Sequence, residues 1–343
     1  MKSPNVSNWL SMAQDEVLDK FHTLKSSFSD GEKDHRFVYV PGTRKDRVLL
    51  VAHADTVFGD EEVKFDCEAG IFYSTRRNDP TIQGPRIGMG IGADDRAGCA
   101  ILWHLRHLGH SLLVTSGEED GCITSRWMIK NKWWNDELNN THQFAVQFDR
   151  KGSNDIVFYS IGTNKFVEYV KEQTKYKPTC GTSTDIKHLC ENICGVNVSV
   201  GYYNEHTPEE KLIYSQWKNS LYTAHEWLKQ PDLPKFPLDK KDLYNPSYNN
   251  SHCGHMYDYD SYDDYYNSRG WHNHGSTVCT VTEVKNQNCV IVKAPDISTI
   301  EEKQKQQFIG DDMSLTCPHC GKVVLEEDWI FNTFKCSYCK KEF

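Results

Sequence analysis

Two histidines and a set of carboxylates, most of them closing apolar runs, are the residues of this chain best placed to do chemistry. His53 and Asp55 follow Leu49-Leu50-Val51-Ala52. Side chains two apart on an extended chain point the same way, so Asp55 can accept one ring N–H of His53 and leave the other nitrogen for a metal. Asp94 and Asp95 follow the glycine-rich Gly88-Met89-Gly90-Ile91-Gly92-Ala93, and Glu118, Glu119 and Asp120 follow Leu112-Leu113-Val114-Thr115-Ser116-Gly117. Asp149 ends Ala145-Val146-Gln147-Phe148, and His206 stands in Asn204-Glu205-His206-Thr207-Pro208. The glycine-rich turn does not suit phosphate, because two acids occupy the place where a lysine or a bare helix N-terminus is wanted. Adjacent carboxylates suit divalent cations instead. Each segment alone has an ordinary explanation: a strand-terminal histidine satisfied by its neighbour, an N-cap at Asp94, a solvated acidic loop. The ordered set is harder to obtain by chance. Taken together, His53, Asp94, Glu119, Asp149 and His206 offer two imidazoles and three carboxylates, the donors of a two-zinc site with one bridging carboxylate, and Glu118 remains as an unligated base. Cobalt or manganese would accept the same donors.

The elements that must position these groups alternate between β-type and helical runs from about residue 7 to 228, the pattern of an α/β domain. Strands are expected at 36–40, 47–52, 70–74, 111–115, 143–148, 155–160 and 196–200. Helices are expected at 7–28, 95–108, 121–131, 164–174, 184–191 and 208–229. The last opens with Thr207-Pro208-Glu209-Glu210, which reads as a threonine cap, a first-turn proline and early acids. The predicted fold class is α/β, a mixed and mostly parallel central sheet flanked by helices, with ligands gathered at the carboxyl ends of its strands. Cys99, Cys122, Cys180, Cys190 and Cys194 read as small buried fillers.

The motifs His53-Ala54-Asp55-Thr56-Val57, Gly92-Ala93-Asp94-Asp95-Arg96-Ala97-Gly98 and Gly117-Glu118-Glu119 resemble those of the co-catalytic zinc exopeptidases, which include peptidase T, the leucyl-type aminopeptidases and the glutamate carboxypeptidases. The resemblance spans residues 45–215. It implies that Asp94 bridges two metals, that His53 and Asp149 complete one site and Glu119 and His206 the other, that Asp55 orients His53, and that Glu118 is the general base for a water shared by the metals. It also implies a cis peptide between Asp94 and Asp95 and matches Thr184-Asp185 to a Ser/Thr-Asp pair found in several members. Through the same resemblance, an Asp at position 149 implies aminopeptidase or dipeptidase activity, where a Glu would imply carboxypeptidase or deacylase activity. Too few residues separate Asp149 from His206 to hold an inserted lid domain, so residues 1–230 are expected to form a single catalytic domain. A zinc amidohydrolase cleaving N-acyl amino acids would share every ligand. A single-zinc transferase would leave His53 and Asp149 without a task, and a silent binding protein would have no need of Glu118.

Beyond residue 230 the character changes. Residues 231–310 read as a flexible linker, with seven tyrosines among Asp, Asn, Ser and Gly at 244–270. His252, His255, His272 and His274 are read as linker histidines. Residues 311–343 carry Cys317-Pro318-His319-Cys320 and Cys336-Ser337-Tyr338-Cys339, two knuckles separated by 15 residues. That spacing fits a four-thiolate zinc ribbon holding one structural zinc. A peptide or small amide is the expected substrate, and the ribbon is expected to dock a protein. The 343 residues carry a formal charge of −9, which disfavours nucleic acid as the main ligand. With no long apolar run, no signal-type N-terminus and paired metal-type cysteines, the expected setting is the cytoplasm, away from membranes.

Overall fold

The computed structural model describes residues 6–25, 27–30, 35–59, 63–76, 90–133, 136–244, 315–316 and 323–324. The chain divides into one unit of residues 1–253 with 330–333 and a second of residues 254–329 with 334–343. In the first, helices α1 (Val6–Leu10) and α2 (Gln14–His22) precede strands β1 (Phe28–Asp30), β2 (Phe37–Val40), β3 (Leu49–His53), β4 (Phe65–Glu68) and β5 (Ile71–Ser74). Helix α3 (Ala93–Leu105) leads through a 3-10 turn to β6 (Ser111–Thr115), α4 (Ile123–Lys130), α5 (Asp136–Thr141), β7 (Ala145–Arg150) and β8 (Asp155–Val157). Then come α6 (Asn164–Thr174), β9 (Lys177–Pro178), α7 (Asp185–Leu189), β10 (Gly195–Ser199), β11 (Tyr202–Tyr203), β12 (Lys211–Ile213) and α8 (Tyr214–Leu228).

The main sheet runs β1-β2-β6-β3-β7-β10-β8-β9. Its centre, β6-β3-β7-β10, is parallel, and β1 and β2 continue it antiparallel on one side. A mixed sheet with a parallel centre is therefore present. Strand β3 is buried throughout, as a parallel strand covered on both faces must be. Its alternate residues feed different cores: Leu50 and Ala52 join helices α1, α2, α3, α6 and α8, whereas Leu49 and Val51 pack with Met128 of α4 and Ile186 and Leu189 of α7. A second sheet, β11-β12-β5-β4, is antiparallel. Between Asp149 and His206 the chain builds strands of these two sheets and helices α6 and α7, with no inserted domain.

Several local expectations are corrected. The helix expected over 7–28 is two helices: the backbone N–H of Ala13 is capped by the Glu16 carboxylate at 2.8 Å, which starts α2 afresh. Helix 208–229 begins only at Tyr214, because residues 211–213 are drawn into β12 by pairing with β5 and β11. The second sheet was largely missed, since strands of two to four residues carry almost no periodicity. Residues 231–244, expected to open the linker, pack on the folded unit: Leu233 is buried and the Phe236 ring meets Phe144, Phe166 and Tyr169. Cys180 is not a buried filler; it is partly exposed and disulfide-bonded.

In the second unit, β13 (Leu315–Thr316) pairs antiparallel with β14 (Val323–Val324). In sequence the pair brackets the first knuckle. Cys317, Cys320, Cys336 and Cys339 lie outside the described residues, as do the four linker histidines.

Candidate active site

Three neighbouring parallel strands deliver four of the candidate residues to one edge of the sheet. β3 ends at His53, opposite Thr115 of β6. After Thr115 the chain turns through Gly117, at φ 71°, and presents Glu118 and Glu119. On the other side Val51 pairs with Gln147 of β7, so Asp149 stands two residues further along, level with His53. Asp94 comes from the start of α3, where Asp94 and Asp95 have non-helical dihedrals, share a cis peptide and leave regular helix to begin at Arg96. Gly98 lets α3 approach β7, since a Cβ there would stand 1.9 Å from the Phe148 carbonyl oxygen and 2.3 Å from Asp95 Oδ1. His206 does not precede a helix; it sits in the connection between β11 and β12, in the left-handed region at φ 61°.

These groups converge. The Nε2 atom of His53 lies 3.3 Å from Asp94 Oδ1, 3.4 Å from Asp149 Oδ1 and 3.9 Å from Glu118 Oε2. The other oxygen of Asp94, Oδ2, lies 3.2 Å from His206 Nε2, which is 2.9 Å from Glu119 Oε2. Asp94 thus turns one oxygen to each imidazole. On the far side of the His53 ring, Nδ1 faces both the backbone carbonyl of Asp55 at 3.1 Å and its Oδ1 at 3.3 Å, while Asp55 Oδ2 accepts from the Glu119 backbone N–H at 3.0 Å. With its proton held at Nδ1, the ring offers a lone pair at Nε2.

The donors fit a pair of cations. His53 Nε2, Asp94 Oδ1 and Glu119 Oε1 are buried without a hydrogen-bond partner, a costly state unless something else satisfies them. Two ligands of a tetrahedral zinc with bonds of 2.0–2.1 Å stand about 3.3 Å apart, and the four imidazole–carboxylate distances within the two triads lie between 2.9 and 3.4 Å. His53, Asp95 and Asp149 also come within 4.8 Å of one another. Asp95, however, spends its oxygens on backbone: Oδ2 accepts from His53 N at 3.3 Å and Oδ1 from Gly98 N at 3.0 Å. It braces the end of β3 and the start of α3 through backbone contacts.

The electrostatics agree. Burial, followed by the charge of Asp149, pushes Glu118 well above the usual carboxylate range, and burial also raises Asp149 and Glu119. For His53 burial favours the neutral ring, but Asp149 and Asp55 outweigh it and hold the imidazole high. Asp94 and Glu119 raise His206 to about 10. Acids and imidazoles that hold protons for one another in this way are what a cation relieves.

Asp149 is held on every side. Thr184 donates to its Oδ2 at 2.7 Å, Gln147 Nε2 to the same atom at 3.2 Å, and the Tyr202 hydroxyl to Oδ1 at 3.2 Å. Asn197 accepts from the Asp149 N–H and donates to its carbonyl, both at 3.0 Å. Beside it, Asp185 accepts from Thr115 at 2.5 Å. The Thr184-Asp185 pair is therefore at the site, whereas Gln147, Asn197, Tyr202 and the bracing role of Asp95 carried no recognisable signal in the sequence.

No family model matches the chain, and no curated protein matches it in sequence. Its backbone is similar to several solved peptidase structures. The aminopeptidase PepT from Bacillus cereus is 13% identical, with 65% of this chain and 96% of that one covered and a TM-score of 0.47. A tripeptidase from Staphylococcus aureus is 14% identical, with 65% and 96% covered and a TM-score of 0.48. A zinc aminopeptidase from Bacillus subtilis is 14% identical, with 61% and 52% covered and a TM-score of 0.37. Among the described residues no helix is long and apolar enough to cross a membrane.

Proposed function

We propose that this chain is a metal-dependent peptidase of the aminopeptidase or dipeptidase type. The observation that carries the reading is Asp94, whose two oxygens face His53 at 3.3 Å and His206 at 3.2 Å, with Asp149 completing one triad and Glu119 the other. His53, Asp94 and Asp149 would hold one Zn²⁺, and Asp94, Glu119 and His206 the second; Co²⁺ or Mn²⁺ could take the same places. Such a pair, when bound, polarises a carbonyl and makes a nearby water more acidic.

The chain's own residues do the rest. Asp55 fixes the His53 tautomer and, by accepting the Glu119 N–H, ties the end of β3 to the loop after β6. Glu118 points towards the same centre without belonging to either triad, 3.9 Å from His53 Nε2. Its burial raises its proton affinity, which suits a group that takes a proton from water and passes it to the leaving amine. Choice of a peptide bond over other amides rests on the exopeptidase resemblance of the three motifs. Residues 311–343 are proposed to form a zinc ribbon through Cys317, Cys320, Cys336 and Cys339, with β13 and β14 as arms beside the first knuckle. That ribbon, with its own structural zinc, would serve to dock a protein partner.

The test is metal content of the purified full chain and its Asp94→Ala variant, together with a screen of aminoacyl and N-acyl amino-acid substrates. About three zinc ions in the wild type, with aminoacyl cleavage lost in the variant, supports the peptidase reading. Cleavage of N-acyl substrates alone would move the chain to the amidohydrolases. One zinc, unchanged in the variant and without turnover, would overturn the enzymatic reading.

A further inference from the structure

Glu210 is a buried acid that the proposed chemistry does not use. It is fully buried, and among the described residues no Lys, Arg or His forms an ion pair with it. A lone carboxylate in such a place is costly unless hydrogen bonds compensate it. They come from a single loop: Oε2 accepts from Ile91 N and Gly92 N, both at 2.8 Å, and Oε1 accepts from Asp94 N at 3.0 Å. Gly92 is left-handed at φ 60°, and the N–H groups of Ile91, Gly92 and Asp94 converge on the Glu210 carboxylate as in a concave nest of the kind that binds anions. The nest is filled by the protein's own carboxylate.

The two ends of this contact are the two sides of the second metal triad. Asp94, whose N–H Glu210 receives, presents Oδ2 to His206. His206 lies four residues before Glu210 in the connection that runs into β12, and β12 is fixed by pairing with β5 and β11. From this juxtaposition we propose that Glu210 is a positioning residue: it locks the backbone of Asp94 to the base of the His206 connection and so sets the spacing of the Asp94–Glu119–His206 metal site. The inference rests on reading these residues as ligands.

Exchange of carboxylate for carboxamide separates this role from general packing. In Glu210→Gln the remaining oxygen can still accept from Ile91 and Gly92, while the amide group turns a donor towards the Asp94 N–H. Metal-free full-length wild type and variant would be titrated with Co²⁺, following d–d absorption and stoichiometry, with the thiolate charge-transfer band of the ribbon as internal reference. Wild type is expected to bind two ions outside the ribbon. Glu210→Gln is expected to bind one of them about 10- to 100-fold more weakly, with the other ion and the far-ultraviolet circular dichroism unchanged. Should the Gln variant fail to fold, Glu210→Asp, which keeps the charge but shortens the reach, is titrated in its place with the same expectation. Wild-type affinity for both ions in the variant would overturn the positioning role and leave the two-metal reading intact. Equal weakening of both ions with a lowered melting temperature would make Glu210 a packing residue and also overturn it. Failure of the wild type to bind two ions would overturn both.

Discussion

The two proposed metal triads share Asp94 but are built on different ground. His53 and Asp149 stand on adjacent central strands, and the His53 side chain is wholly buried; His206 belongs to a short connection in the antiparallel sheet, and its side chain is 41% exposed. The first half is anchored by neighbours on every side, with Asp55 and Asp95 on the His53 segment and Thr184, Gln147, Asn197 and Tyr202 on Asp149. The second depends on a left-handed residue and on contacts from the loops at Asp94 and Glu119. One half is part of the core, and the other is brought to it.

That contrast can be broken or sharpened by experiment. Glu118→Gln removes the base without touching either triad, so turnover should fall by about 10²- to 10⁴-fold while bound metal, measured by atomic absorption, stays at the wild-type level. If metal falls with activity, Glu118 is a ligand and the division into two triads is wrong. Gly98→Ala drives a Cβ into the Phe148 carbonyl oxygen beneath the core-built half, and should destabilise the fold by about 3 kcal/mol or more in urea denaturation.

Stability should also depend on pH through a histidine distant from the site. His110 is buried and neutral, its Nδ1 accepting from Val48 N at 3.1 Å and its Nε2 donating to Leu228 O at 2.9 Å, and burial lowers its pKa to about 4. A depressed histidine binds fewer protons folded than unfolded, so its contribution is complete above pH 6.5 and is lost as pH falls towards 4. The loss amounts to about 3 kcal/mol, and comparison of urea midpoints for wild type and His110→Gln across that range isolates it. Gradual removal of metal by a chelator should take the ion held by His206 before the one held by His53, seen as two kinetic phases of metal release. A single phase would erase the distinction between the halves. The smallest effect is expected for Thr184→Val, which deletes one hydrogen bond to Asp149 and should weaken the first ion by about 10-fold.

What could be read in the sequence follows the same division. The core-built half was legible because a fully buried parallel strand is a continuous apolar run, and an acid or imidazole closing such a run stands out. The candidate residues His53, Glu118, Glu119 and Asp149 stand out in this way, whereas the cis peptide between Asp94 and Asp95, present in the structure, was implied only by the exopeptidase resemblance. The other half was misread in its surroundings: Thr207-Pro208-Glu209-Glu210 carries the local marks of a helix start, but pairing of 211–213 with β5 and β11 overrides them. Glu210 then serves a loop more than a hundred residues earlier in the chain, and no local pattern signals a partner at that distance. The break between α1 and α2, by contrast, is local, since Glu16 caps the Ala13 N–H only three residues away.

Helix α3 is buried at every one of its 13 positions. A helix with no face towards water has no position at which substitution is cheap, so a library of random variants should return Asp94, Asp95 and the turns behind them as one intolerant block. Efforts to redirect the proposed activity towards other substrates would have to begin elsewhere. The rim offers such a place in the pair Lys151 and Glu205, 2.5 Å apart, partly open to solvent and each within two residues of a proposed metal ligand.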